Sequence, residues 1–251
     1  MFAYPGTSEL SLCAVIDGHR GLRLVNARGD KEAVFMAAGG HLVGGARCAA
    51  MLHGARGLTN ALGAVADVRR SEVPVLCLVG MASRSSASHL PPHCEPALIE
   101  SASAFARAAF DCSAMDGFDP TTFCDVVFRA AVALDEAPGG PVLLGLPEDL
   151  LLARFVPDDA LDGIVLPPCE PPEDGVAVVL DAMRSARTPV VLVEDYLLRS
   201  ASAEADLAGF ATRLDAPVLQ IAYRRGPMLF QQLTPKTVPT GAVAFADRWA
   251  W

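Results

Sequence analysis

The sequence predicts an α/β protein: a parallel sheet with helices on both faces, followed by a partial second α/β domain. Three observations carry that expectation. Short apolar runs of strand length alternate with longer amphipathic segments, the strand-like runs are apolar throughout, and glycines and prolines punctuate the joints. A strand that is apolar at every position must be covered twice, and the intervening helices supply that cover. The chain has 251 residues, 52% of them hydrophobic and 20% charged, with a mean hydropathy of +0.34, which is ample for a large buried core.

Taken in order, residues 22–25 and 49–52 read as short buried strands, and residues 73–80 and 141–146 as longer ones. Between them, residues 30–42, 58–70, 96–106 and 121–136 space their apolar side chains three and four apart, as amphipathic helices do. Asp30 and Glu32 fall in a predicted first helical turn, where carboxylates complement the helix dipole. From 154 to 174 the composition turns to acidic residues and proline, with Pro157, Pro167, Pro168, Pro171 and Pro172 denying regular hydrogen bonding. Helix 174–186, strand 189–194, helix 201–214 and strand 217–222 follow. So few elements hardly cover their own sheet, so they read as part of a domain. The expected division is 1–153, a linker at 154–174, a partial domain at 175–226, and a tail at 227–251 whose Trp249 and Trp251 could dock.

Charge and composition exclude several function classes. A net charge of −9 with scattered arginines repels phosphate backbones and argues against nucleic-acid binding. The apolar runs at 73–79 and 190–193 are far shorter than the ~20 residues that span a bilayer. Seven cysteines without a CxxC pair fit a reducing cytosol, and residues 1–10 lack the pattern of a secretory signal.

Three stretches hold residues suited to chemistry. At Gly54-Ala55-Arg56-Gly57-Leu58-Thr59-Asn60, two glycines join a strand to a helix, so the backbone can approach a ligand beside free helix N–H groups; a plain tight turn has the same pattern. It is neither GxGxxG nor GxxxxGK[ST], which leaves nucleotide binding as the weaker reading. In Gly29-Asp30-Lys31-Glu32, a carboxylate follows a strand at the sheet end where open α/β proteins bind ligands. His89-Leu90-Pro91-Pro92-His93-Cys94-Glu95 gathers two histidines, a thiol and a carboxylate without zinc-site spacing, and no metal ligands are assigned. His19 and His41 read as surface or packing residues.

In order, Tyr4-Pro5-Gly6-Thr7, Asp30 with Ala37-Ala38-Gly39, Gly57-Leu58-Thr59-Asn60-Ala61, the strand from Val73 to Gly80, and Gly140-Pro141-Val142-Leu143-Leu144-Gly145-Leu146-Pro147-Glu148-Asp149 resemble the pyrimidine-binding half of thiamine-diphosphate enzymes. The pattern is most similar to the acetolactate synthase and sulfopyruvate or phosphonopyruvate decarboxylase group. Arg187-Thr188-Pro189 and Asp215-Ala216-Pro217 are similar to the start of that family's central domain.

The resemblance implies a carboxylate that hydrogen-bonds the aminopyrimidine N1′ and so promotes loss of the thiazolium C2 proton. Asp30 occupies that position where the family has glutamate. It is shorter by one C–C bond, ~1.5 Å, so that either the backbone lies closer to the cofactor, Glu32 substitutes, or activation is weak. Tyr4, Pro5, Gly6, Thr7, Gly57, Thr59 and Asn60 are the implied cofactor cradle. His53, Arg56 and His93 are the implied substrate contacts, with Glu95 a further proton-relay candidate on a loop that in the family approaches a neighbouring subunit. Arg56 replaces the proline of a Pro-Gly turn, where a guanidinium either binds an anionic 2-oxo acid bidentately or points to solvent. Gly80-Met81-Ala82-Ser83 stands where the family has glutamine.

The family's Gly-Asp-Gly motif for Mg²⁺ and the diphosphate is not in the sequence. The expectation is therefore a subunit of a cytoplasmic 2-oxo acid decarboxylase or carboligase using thiamine diphosphate. Mg²⁺ would be held by a separate diphosphate-binding chain in a hetero-oligomer. A flavin is not expected on so short a central domain. The alternative is a non-catalytic structural or regulatory partner with a degenerate pyrimidine-binding domain.

Overall fold

The computed structural model describes residues 1–162, 165–166, 173–193, 197, 202–221 and 240–243. The chain divides into two units, Met1–Cys169 and Glu170–Trp251.

The first unit is built on six parallel strands: β1 (Phe2–Ala3), β2 (Val25–Asn26), β3 (Cys48–His53), β4 (Val75–Met81), β5 (Ala108–Asp111) and β6 (Pro141–Pro147). Their order across the sheet is β2-β1-β3-β4-β6-β5. The register runs from Cys48 opposite Val75 to His53 opposite Gly80, and from Val75 opposite Pro141 to Met81 opposite Pro147. His53, Gly80 and Met81 are thereby brought to the carboxyl end of the central strands.

Both faces are covered, and the strands divide their side chains between them. Ala50 and Leu52 of β3, Val75, Cys77 and Val79 of β4, and Leu143 of β6 pack with α2 (Asp30–Gly44), α3 (Gly54–Arg70) and, after the short α4 (Arg84–Ala87), α5 (Leu98–Ala102). On the other face, Met51 meets Cys13 and Ile16 of α1 (Leu10–Asp17), and Val142 meets Ala130 and Leu134 of α6 (Pro120–Asp135). Leu144 and Leu146 meet Leu150 of α7 (Glu148–Leu152). Met51, Leu52, Leu58 and Leu143 are fully buried, each contributing on the order of 1.5–3 kcal/mol of apolar transfer. The expected architecture, a parallel sheet sandwiched by helices, is the one observed.

Local chemistry explains the element ends. Asp119 caps α6, accepting from Thr121 N and Thr122 N, with Pro120 in the first turn where its missing N–H costs nothing. α2 ends on Gly45 in the left-handed conformation, φ +65°.

Several expectations are corrected. The strand expected at 22–25 is confined to Val25–Asn26, because just two residues pair with β1 and Leu22 is exposed. β1, α1 and β5 were not anticipated: β1 is too short for periodicity, and half-buried β5 lies on the sheet edge. The helix expected at 96–106 is α5 followed by a 3-10 turn, Ser103–Phe105. The helix expected from 58 begins at Gly54, so the glycine-rich segment is itself the first helical turn.

The second unit contains α8 (Glu173–Ser185), β7 (Val191–Val193), α9 (Ala203–Leu214), β8 (Val218–Ile221) and β9 (Thr240–Val243). Its strands run parallel in the order β7-β8-β9, and Val193, Leu207, Ala211 and Val218 form its core. β9 was not anticipated in the tail. Trp249, Trp251 and Pro167, Pro168, Pro171 and Pro172 lie outside the described residues. Among those described, no helix is long and apolar enough to cross a membrane.

Candidate active site

The chemistry-bearing residues meet where β1, β3 and β4 end. Asp30, the first residue of α2, is 7% exposed, and its Oδ1 accepts the His53 backbone N–H at 3.0 Å. Gly57, on the first turn of α3, makes room for it: a Cβ there would lie 2.5 Å from Asp30 Oδ1. The pairing of Asp30 with Gly57 is thus steric as well as chemical. Glu32 lies exposed on the same helical turn, and its Oε2 accepts from Arg28 N at 2.6 Å. It is engaged away from Asp30's pocket, which removes it as a substitute.

Sequence reasoning missed the second carboxylate. Glu9 follows the Tyr4-Pro5-Gly6-Thr7 turn and is 1% exposed. Its Oε2 accepts from Gly6 N at 2.9 Å and lies 2.9 Å from His53 Nδ1. Its Oε1 is buried without a hydrogen-bond partner among the described residues. Two glycines shape this contact: a Cβ at Gly80 would collide with Glu9 Oε1, and one at Gly6 would collide with the His53 ring. A carboxylate one residue before an apolar helix reads as surface, and no spacing rule points it inward. With Glu9 ionised, Nδ1 of His53 donates to it and leaves Nε2 as the acceptor of a neutral ring.

His93 extends the row. Its ring centroid lies 4.5 Å from that of His53 at a 54° tilt, and its Nδ1 is buried without a partner among the described residues. The His93 carbonyl accepts Ala55 N at 2.9 Å, which ties the 88–97 loop to the start of α3. Gly54 is required at this junction: its φ is +50°, and a Cβ would come within 2.8 Å of the same carbonyl.

The remaining predicted residues sit at the rim. Tyr4 and Thr7 are exposed, while Pro5 and Gly6 are half-buried. Arg56, Thr59 and Asn60 are exposed on the first turns of α3, where Thr59 Oγ1 donates to Ala55 O at 2.7 Å. Thr59 therefore braces the turn. Glu95 and His19 are exposed, and His41 is half-buried. Among the described residues no cluster of three His, Cys, Asp or Glu side chains is arranged to hold a metal.

Arg84 locks the far side of the site. Its Nε donates to Asp149 Oδ2 at 2.7 Å, and its Nη1 donates to the Met115 and Gly117 carbonyls, each at 2.7 Å. Burial alone would raise the Asp149 pKa, but the Arg84 backbone N–H, guanidinium and charge outweigh it and hold the carboxyl below its ordinary value.

The unit is a parallel α/β domain with a carboxylate- and histidine-lined site at the carboxyl ends of its strands. Residues 1–103 match the family of the thiamine pyrophosphate enzyme, N-terminal TPP binding domain. No curated protein matches the chain. Among solved structures, it is similar to benzoylformate decarboxylase from Polynucleobacter necessarius at 21% identity and TM-score 0.70, covering 88% of this chain and 40% of that one. It is also similar to thiamine diphosphate-dependent 4-hydroxybenzoylformate decarboxylase from Rhodococcus jostii RHA1 at 23% identity and TM-score 0.70, covering 88% and 41% respectively. The chain thus spans about two fifths of the length of these structures.

The residues present fit one side of a thiamine diphosphate. A buried carboxylate is held in place at the strand ends, glycines leave the backbone open, and a second carboxylate oxygen and an imidazole nitrogen are buried with hydrogen-bonding capacity unused.

Proposed function

We propose that this chain supplies the aminopyrimidine-activating half of a 2-oxo acid decarboxylase or carboligase that uses thiamine diphosphate. The observation that carries the reading is Asp30, a buried carboxylate fixed by the His53 N–H and fitted against Gly57 at the carboxyl end of the sheet. When bound, the cofactor supplies the carbon nucleophile for the 2-oxo acid carbonyl and the sink for the electrons released with CO₂. Asp30 accepts the hydrogen bond of the pyrimidine ring nitrogen. Tyr4, Pro5, Gly6, Thr7, Gly57, Thr59 and Asn60 form the cradle. His53 Nε2, left facing the site while Nδ1 contacts Glu9, takes up and returns a proton at the substrate oxygen. Glu9 orients His53, and His93 extends the polar row on the substrate side. Arg56, exposed on α3, contributes at the entrance.

In this proposal a separate chain carries the diphosphate and Mg²⁺, the two chains assemble as a hetero-oligomer, and the complex works in the cytoplasm. The second unit is the beginning of a central domain, joined through the 154–174 linker. The coverage of about two fifths of the related structures leaves room for further domains or chains, and the six cysteines among the described residues, all free, suit a reducing compartment. A non-catalytic partner is the second reading, favoured by Asp30 being one methylene shorter than the family's glutamate and already bonded through Oδ1.

Co-purification with candidate diphosphate-binding chains, followed by thiamine diphosphate and Mg²⁺ titration while CO₂ release from several 2-oxo acids is recorded, tests the proposal. Release requiring both chains and abolished by Asp30→Ala supports it. Release undiminished in Asp30→Ala would retire Asp30 as a catalyst and favour the non-catalytic reading.

A further inference from the structure

Beside the His53–His93 pair, a cavity of about 410 Å³ lies over the ends of β4 and β5, beneath the connection that crosses from β4 to α5. Met81, Ala87, Leu90 and Leu98 supply most of its apolar wall, and His93 lines it while stacking on His53. The volume lies within the range of small-molecule sites. One side chain therefore belongs both to the polar row of the site and to the cavity wall.

The charges of the lining restrict the occupant. Arg84, its cation, is committed to Asp149 and to two backbone carbonyls, so its guanidinium is already engaged. Glu95 and Asp111 also line the cavity. An added anionic group would meet two carboxylates and a neutralised arginine, whereas an apolar group would displace water from methyl and methylene surface.

We propose that this cavity receives the uncharged, apolar side chain of the 2-oxo acid, past His93, with the oxo-acid end left at the His53 side. The inference rests on the thiamine-diphosphate reading above. It excludes sulfonate- and phosphonate-bearing 2-oxo acids as preferred substrates, although an Arg56 guanidinium would suit such anions as it would a carboxylate. Met81, within the Gly80-Met81-Ala82-Ser83 segment that stands where the family has glutamine, then makes part of the apolar wall.

The test uses the full chain without cofactor, labelled with ¹³C at the methionine methyls and titrated with 4-fluorobenzyl alcohol as an uncharged aryl probe and with 3-sulfopropionate as an anionic one. The expected result is a saturable shift of the Met81 methyl with the aryl probe, no shift with the anion, and binding at least about tenfold weaker in Ala87→Phe, which fills the cavity. The wild-type Met81 shift stands without the variant, should Ala87→Phe fold poorly. An unchanged Met81 methyl, or equal binding of both probes, overturns the proposal. Aryl binding in a chain whose assembled complex turns over no 2-oxo acid would overturn the substrate assignment. Turnover of aryl 2-oxo acids with no binding at Met81 would overturn the cavity assignment and leave the cofactor reading standing.

Discussion

Glu9 Oε2 lies 2.9 Å from His53 Nδ1, and the carboxylate that holds this histidine has its other oxygen buried and unpaired among the described residues. An unsatisfied buried oxygen costs ~1–3 kcal/mol or more, a cost a purely structural residue has no reason to incur. Glu9→Gln keeps the shape and removes the charge. We expect kcat/KM of the assembled complex to fall at least ~10-fold, part of the ~10²–10⁴ supplied by a positioned acid–base group. Ring ¹⁵N spectra should also show His53 losing its single tautomer. An unchanged tautomer would show that Glu9 does not position the ring.

Gly57→Ala tests the other carboxylate. Its Cβ would lie 2.5 Å from Asp30 Oδ1, so Asp30 or α3 must move. Overpacking of this kind costs about 1–3 kcal/mol, and a displacement near 1 Å costs turnover ~100-fold. Chemical denaturation and the His53 amide shift should report both effects. A variant of native stability with an unmoved His53 amide would refute the steric coupling.

The Arg84–Asp149 pair makes stability pH-dependent in a defined direction. The Asp149 pKa is lowered in the folded state, so the contribution is complete above the ordinary carboxylate value of 3.8 and is lost as pH falls through the lower folded value. Urea unfolding should show wild type more stable than Asp149→Asn at pH 7, with the difference narrowing toward pH 3. A difference constant across that range would sever the link.

Burial pushes the Cys77 thiol up to about 12; burial, aided by Asp111 and opposed by Arg84, does the same for Cys112. At pH 8 thiolate is then on the order of one in 10⁴ of either group. Both should resist iodoacetamide in the native protein and react on unfolding, as peptide mass analysis would reveal. Rapid native labelling of Cys77 would contradict its place in the core.

The sequence by itself determined the class of fold, because uniformly apolar strands and three-four helical spacing are local properties. β4, β6, α2, α3 and α6 were legible on that ground, and so was Asp30, which chain order alone places at the start of a helix after a strand. Tertiary structure decided the rest. β1 is two residues long and is a strand because β2 and β3 flank it. Glu9 became a site residue because Gly6 and Gly80, far apart in sequence, leave the space its carboxyl fills beside His53. His93 joined the site because its carbonyl binds the first turn of α3, a contact spanning 38 residues that periodicity does not report. Arg56 had the right chemistry and lies exposed, while Arg84, unremarkable in sequence, is the arginine on which Asp149 of α7 and the Met115–Gly117 loop converge. Local pattern fixes which residues form helices and strands; which polar groups share a pocket depends on how those elements cross, and crossing is set by packing.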